Sequence, residues 1–123
     1  MIFRFKFQIS GMKEESELYQ RMKTEIEDKL RGEMSDVAEA EVLAPVSSGT
    51  TYPVVSVVYK VDTHGYESEA TVMFDVLMWL APTREMFLAE QIYIGLEEIY
   101  VDEQPWALPD SCRLEHHRPT IVI

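Results

Sequence analysis

The stretch Ile2-Phe-Arg-Phe-Lys-Phe-Gln-Ile9 alternates apolar and polar side chains along its whole length. Successive side chains of a β-strand point to opposite faces of a sheet. One face therefore carries Phe3, Phe5, Phe7 and Ile9, and the other carries Arg4, Lys6 and Gln8. The pattern predicts a strand that covers a core with one face and meets water or a partner with the other, and Ser10-Gly11 ends it.

The next segment, from Lys13 to Arg31, changes to a helical period. Apolar residues recur three and four positions apart, with charged residues between them; these residues are Leu18, Tyr19, Met22, Ile26 and Leu30. Acids at its start and bases at its end suit the helix dipole, and Gly32 is a stop signal. We expect an amphipathic helix on the surface.

The middle of the chain is less regular. Val37–Val46 fits either a short strand or a helical tail, whereas Pro45–Pro53 has the turn residues of a loop. Val54–Val61 is rich in β-branched residues and predicts a strand.

The segment Thr71–Leu80 predicts a second strand, joined to the first as a hairpin through turn residues at Asp62–Gly65. Both of its faces are largely apolar, and only Asp75 interrupts them. Such a strand is typical of the centre of a sheet, with a helix on one side. Another subunit is one candidate for the other side.

Pro82-Thr83 then begins a predicted helix that runs to Tyr100, with Thr83 as its N-cap. Gly95 falls in the middle of this helix and indicates close packing. Asp102–Asp110 is an irregular acidic stretch, and Thr120–Ile123 predicts a short final strand.

These elements predict a single α+β domain over residues 1–123. We expect a mixed, mostly antiparallel sheet of four or five strands, with two helices packed on one face, in the order β-α-(β)-β-β-α-β. A ferredoxin-like arrangement is one version of this architecture. The longest apolar run is too short and too interrupted for a membrane span, and the alternating N-terminus does not resemble a signal peptide.

Charge is unevenly distributed along the chain, whose net charge is −11. Residues 1–60 hold ten acids and eight bases, whereas residues 61–110 hold eleven acids and one base, Arg84. Phosphate contacts need Lys or Arg, so we expect no phosphate-mediated binding of nucleic acid. The acidity fits a basic protein partner, a mimic of nucleic acid, or a surface that only keeps the protein soluble.

Residues suited to catalysis or metal binding are scattered. His116 and His117 are adjacent and point to opposite faces of a strand, and Cys112 is the only cysteine. Ser47 and Ser48 lie in a loop without the strand-turn-helix context of a nucleophile. We expect no enzyme activity, no cofactor and no metal site.

Seven residues are candidates for an interface. The polar face of the first strand contributes two bases, and the acidic second half contributes acids and the tryptophans, a residue type enriched at interface hot spots. They are Arg4, Lys6, Asp75, Trp79, Asp102, Glu103 and Trp106. Each tryptophan fits equally well a position where it closes one end of the core.

Three segments together resemble the middle of tail terminator or related neck proteins of long-tailed bacteriophages. They are Tyr52–Val58, the predicted strand that ends in Phe74-Asp-Val-Leu-Met-Trp79, and the predicted helix Thr83–Tyr100. The resemblance covers about residues 13–100. This chain differs from the pattern by its added strand Ile2–Ile9 and by a short C-terminal segment.

The resemblance implies a non-enzymatic subunit of a homo-oligomeric ring, commonly a hexamer, that contacts tail or connector proteins. Its expected location is the virion or the host cytoplasm, without secretion. Two alternatives stay open: a small acidic inhibitor that mimics nucleic acid and blocks a basic host defence protein, and a ferredoxin-like domain that binds a small metabolite.

Overall fold

The computed structural model describes residues 1–33, 37–43, 54–63 and 68–114. Within these ranges the chain forms β1 (Ile2–Gly11), α1 (Glu15–Glu33), β2 (Val37–Leu43), β3 (Val54–Asp62), α2 (Glu69–Leu88), β4 (Ile92–Val101), β5 (Gln104–Trp106) and a short 3-10 helix (Asp110–Cys112). The expected α+β class is confirmed. The segment that fitted either a strand or a helical tail contains the strand β2.

The strands form one sheet in the order β2-β3-β1-β4-β5. Every pairing between these described strands is antiparallel. β3 lies between β1 and β2, and β1 lies between β3 and β4. Each β-α-β unit therefore has a strand of the other unit between its own two strands. This is the ferredoxin-like arrangement, extended at one edge by β5.

The core lies between one face of the sheet and the two helices. The apolar face of β1 is completely buried, as the alternation in its sequence predicts. The rings of Phe3 and Phe5 stack with their centroids 5.9 Å apart. Helix α1 buries Leu18, Met22 and Ile26 against this face, so the predicted strand and helix are confirmed. The expected stop at Gly32 is wrong, because the helix continues to Glu33.

Helix α2 corrects two predictions, the strand Thr71–Leu80 and the helix start at Pro82-Thr83. The helix begins after Ser68, whose Oγ accepts a hydrogen bond of 3.3 Å from the amide of Thr71. Thr83 is not an N-cap: it lies inside the helix, and its hydroxyl donates a 2.8 Å hydrogen bond to the carbonyl of Trp79. The buried residues of α2 recur at helical spacing, namely Val72, Met73, Val76, Trp79, Leu80, Thr83 and Phe87.

Strand β4 corrects the second half of the predicted helix Thr83–Tyr100. Its register against β1 shifts between Lys6 and Phe7, which places Glu97 as an extra residue. Such a bulge leaves two residues opposite one, so Leu96 and Ile99 reach the same buried face although they are three positions apart. A spacing of three resembles a helical period, whereas the residues on either side of the bulge alternate between the two faces as in any strand.

The acidic stretch after Tyr100 is more regular than expected. Asp102 and Glu103 have φ values of 47° and 66° and form a two-residue turn, the geometry that connects tightly paired antiparallel strands. β5 follows at once and pairs with the end of β4. The predicted loop at residues 45–53, the histidine pair and the final strand Thr120–Ile123 lie outside the described residues.

Candidate interaction surface on helix α2

The seven predicted interface residues fall into three places: four on β1 and in the turn after β4, Asp75 and Trp79 on α2, and Trp106 in β5. Arg4 and Lys6 lie on the face of β1 opposite the core, with Asp102 and Glu103 in the turn at the end of β4. One shallow depression brings Arg4, Asp102 and Glu103 together with Ile2 and Lys60.

Contacts within the chain hold much of this first group. The guanidinium carbon of Arg4 lies 5.5 Å from the centre of the Tyr100 ring, and Lys6 is opposite Glu98 across the sheet. The carboxylate of Asp102 accepts a 2.8 Å hydrogen bond from the amide of Ile2. These residues order the end of the sheet, since opposite charges and cation–aromatic contacts across strands stabilise pairing.

The two tryptophans are not exposed anchors. Trp79 lies on α2 with only 7% of its surface exposed, and its ring meets that of Phe7 edge to face at 5.5 Å between centroids. Trp106 is half-buried in β5 and packs against the core. Both therefore close the core, which was the alternative interpretation of these residues, and the expectation that Trp79 ends a strand is wrong.

The surface that sequence reasoning did not locate is the outward side of α2. We call it the apolar stripe and define it as Phe74, Leu77, Met78, Ala81 and Leu88. Its large side chains are well exposed: 62% for Phe74, 60% for Met78, 53% for Leu88 and 38% for Leu77. Residues three, four and seven positions apart lie on the same side of a helix, so these side chains share one side of α2, with the exposed Glu85 between Ala81 and Leu88.

Few charged residues lie on this side of α2. The helical spacing places Glu85 and Arg84 among the members of the stripe, and Asp75 lies three positions before Met78 at its edge. The only base on α2, Arg84, is half-buried, and its Nη2 is 3.4 Å from the carbonyl of Cys112. Burial lowers the pKa of Arg84 from its ordinary value because desolvation disfavours the charged form, an effect that the thiol of Cys112 opposes.

A groove of about 420 Å³ runs along the side of α2 that faces α1. Phe74, Met78, Pro82 and Met86 supply its apolar lining, and two carboxylates, Glu25 of α1 and Asp75, stand in it. Asp75 thus belongs to a helix and not to a strand. The groove and the apolar stripe share Phe74 and Met78.

Two polar groups at this groove lack their usual hydrogen-bond partner, one on the backbone and one on a side chain. Pro82 lies inside the helix and has no N–H to give to the carbonyl of Met78, four residues earlier. The buried Nε1–H of Trp79 has no acceptor in the part of the chain that the structure describes. A buried indole N–H usually has one.

The described ranges contain no group of three metal-ligating side chains, and neither described helix is long and apolar enough to cross a membrane. Comparisons with protein-family models, with curated proteins and with solved structures found no match to this chain. The geometry of α2 is therefore the basis for a functional proposal.

Proposed function

We propose that this chain is a non-enzymatic assembly protein that associates with a second copy of itself through the apolar stripe of α2. The exposure of the stripe is the observation that carries the proposal. A helix that is apolar on all sides is normally buried, and α2 is apolar both toward the core and toward solvent.

The size of the apolar stripe supports a contact surface. If each large side chain exposes about 200 Å² when fully open, the fractions above amount to roughly 400 Å². Patches of this size on a monomer are often functional. A stable interface needs about 800 Å² from each partner, so we expect a weak and reversible pair unless flanking residues add to it.

The arrangement of the stripe suits a two-fold contact. In an antiparallel pair of α2 helices centred between positions 78 and 81, Met78 of each copy faces the partner's Ala81, a large side chain against a small one. Phe74 then faces the partner's Glu85, which keeps the two Glu85 carboxylates at opposite ends of the contact. An isologous contact of this kind uses the same surface on both copies.

The narrower proposal, a neck or tail-terminator subunit in a ring, needs more than this contact. A two-fold contact closes at two copies, so a ring requires a second, different surface. In addition, two of the three segments that carry the resemblance are other elements in the structure, a helix at Thr71–Leu80 and a strand from Ile92. Mass measurement separates the two forms, since a ring gives a higher closed oligomer.

The nucleic-acid mimic has less support. A mimic needs its acids arrayed outward on one surface, and several acids of the second half have contacts within this chain. The carboxylate of Glu97 accepts a 2.7 Å hydrogen bond from the amide of Leu114, and that of Glu90 pairs with Arg21. Asp102 binds the amide of Ile2.

Sedimentation velocity at protein concentrations of roughly 1 to 200 μM tests the proposal. This range covers the weak, reversible association that the size of the stripe leads us to expect. We expect concentration-dependent association of the wild-type chain. Met78→Glu should weaken it at least about tenfold, because an unpaired charge would be buried at the contact.

The matched control is Met12→Glu. Met12 is also an exposed methionine, 73% open to solvent, and lies in the connection before α1. Equal circular dichroism spectra of the two variants establish that both fold. A wild-type chain that stays monomeric at the highest concentration overturns the proposal, as does equal weakening by the control substitution.

A further inference from the structure

We infer that the groove between α1 and α2 receives a basic, amphipathic helix from another protein. The inference does not rest on self-association through the apolar stripe, because it is argued from the charges and the shape of the groove. The two surfaces share Phe74 and Met78, so the helix and a second copy would compete for these residues.

The charge of the groove favours a basic occupant. Among the residues that the structure describes, its lining includes two carboxylates, those of Glu25 and Asp75, and no base. Within the described residues neither carboxylate has a hydrogen-bond or ion-pair partner. One base on the facing side of α1, Arg21, pairs with Glu90.

The groove combines this charge with an apolar lining. A small hydrophilic cation would leave Phe74, Met78 and Met86 in water. An amphipathic helix fills the groove with apolar side chains at helical spacing and brings lysine or arginine to the carboxylates, where charge complementarity sets register and the rate of encounter. The carbonyl of Met78, which Pro82 cannot satisfy, adds a hydrogen-bond acceptor for such a cation.

The α2 helix of a second copy does not complement the groove. The chain carries a net charge of −11, and the α2 helix of another copy would bring only one base, Arg84, whose Nη2 lies 3.4 Å from the carbonyl of Cys112. Acid would therefore meet acid at Glu25 and Asp75. The occupant that complements the groove is a basic chain.

Binding of a synthetic peptide tests the inference. The probe is an amphipathic helix of leucine and lysine of about 14 residues, long enough for four turns, and a peptide with glutamate in place of each lysine is its counterpart. In a Trp106→Phe background, Trp79 is the only remaining tryptophan, so its fluorescence reports occupation of the groove directly. We expect saturable binding of the lysine peptide and none of the glutamate peptide.

Variants that neutralise a single carboxylate distinguish binding in the groove from general attraction between an acidic protein and a basic peptide. We expect Asp75→Asn and Glu25→Gln each to weaken binding about threefold to tenfold, as the loss of one partly buried charge contact does. Asp28→Asn is the matched control, since Asp28 is exposed on α1 outside the groove. It removes the same charge and should change the affinity less than about twofold.

Met86→Ser separates the two proposals, because Met86 lines the groove and is not part of the apolar stripe. It should weaken the peptide and leave self-association unchanged. Equal effects of Asp28→Asn and Asp75→Asn, or equal binding of both peptides, overturn the inference even if the chain self-associates. A chain that stays monomeric yet binds the lysine peptide in the groove upholds the inference and overturns the self-association proposal alone.

Discussion

Replacing Gly95 with alanine should destabilise the fold through the segment that crosses β4. A Cβ at this position would lie 2.6 Å from the carbonyl carbon of Arg113 and closer still to the backbone of Leu114. Real Cβ atoms do not approach a backbone so closely, so residues 113–114 must move away. Gly95 is thus required for close packing, although in a strand and not in the predicted helix.

The magnitude follows from what that movement removes. The side chain of Leu114 is 1% exposed, and its burial contributes about 2 kcal/mol. The 2.7 Å hydrogen bond from its amide to the carboxylate of Glu97 contributes about 2 kcal/mol more. Alanine recovers roughly 0.5–1 kcal/mol in a strand because it loses less entropy than glycine on folding. We therefore expect Gly95→Ala to lower the free energy of unfolding by about 3 kcal/mol.

Urea unfolding measures this difference, with the m-value as a check that the unfolded state is unchanged. Gly11→Ala is the matched control: its Cβ would lie 3.2 Å from the carbonyl oxygen of Gln91, and we expect a loss of about 1 kcal/mol or less. In a Leu114→Ala background the cost of Gly95→Ala should shrink, because both changes act on one contact. A Gly95→Ala protein within 1 kcal/mol of wild type would refute the packing argument.

Two further predictions concern the wall of the groove. Pro82→Ala should raise the free energy of unfolding by about 2 kcal/mol, since it restores an N–H for the carbonyl of Met78 and removes a proline from a helix interior; urea unfolding checks this, and a loss of stability would show that the proline is needed there. Trp79→Phe should cost only about 1–2 kcal/mol, from lost volume, because the indole N–H has no acceptor to lose among the described residues. Thermal unfolding measures this cost, with Phe7→Ala as the reference, for which we expect roughly 3–5 kcal/mol. A cost of that size for Trp79→Phe would mean that this N–H does have a partner.

The sequence predicts β1 and α1 correctly because only one side of each is apolar. In β1 the alternation is strict, and in α1 charged residues separate the apolar positions, so the period is visible in each. β3 is buried on nearly all positions, but its β-branched residues indicate a strand independently of any period. The predicted class, two helices on one mostly antiparallel sheet, is confirmed, although the second helix spans Glu69–Leu88 and not Thr83–Tyr100.

Both wrong elements have local physical causes. The bulge at Glu97 turns the period of β4 from two into three, so that Leu96 and Ile99 appear helical. In α2 the outward positions are apolar as well as the inward ones. The sequence of this segment therefore shows no alternation of apolar and polar residues at helical spacing. The capping hydroxyl of Ser68 is the signal that marks the true start of the helix, and it lies three residues before the predicted strand.

Part of the candidate surface is predictable from the sequence although the predicted element is wrong. Asp75 is the one acid in an apolar run, and it lies in the groove with Trp79. The apolar stripe was missed because a strand would place Phe74 and Met78 on one face with Val76, whereas the helix buries Val76 and exposes the other two.

The exposed apolar residues of α2 explain both why the sequence does not predict this helix and why we expect a partner there. A surface helix that served only this domain would carry charged residues outward, as α1 does, and its period would be plain. In α2 the outward positions hold Phe74, Leu77 and Met78 instead, and exposing them gains nothing for the folded monomer. Their apolar surface lowers the free energy only when another chain covers it. The same residues that hide the helix in the sequence are therefore the physical reason to expect a partner there.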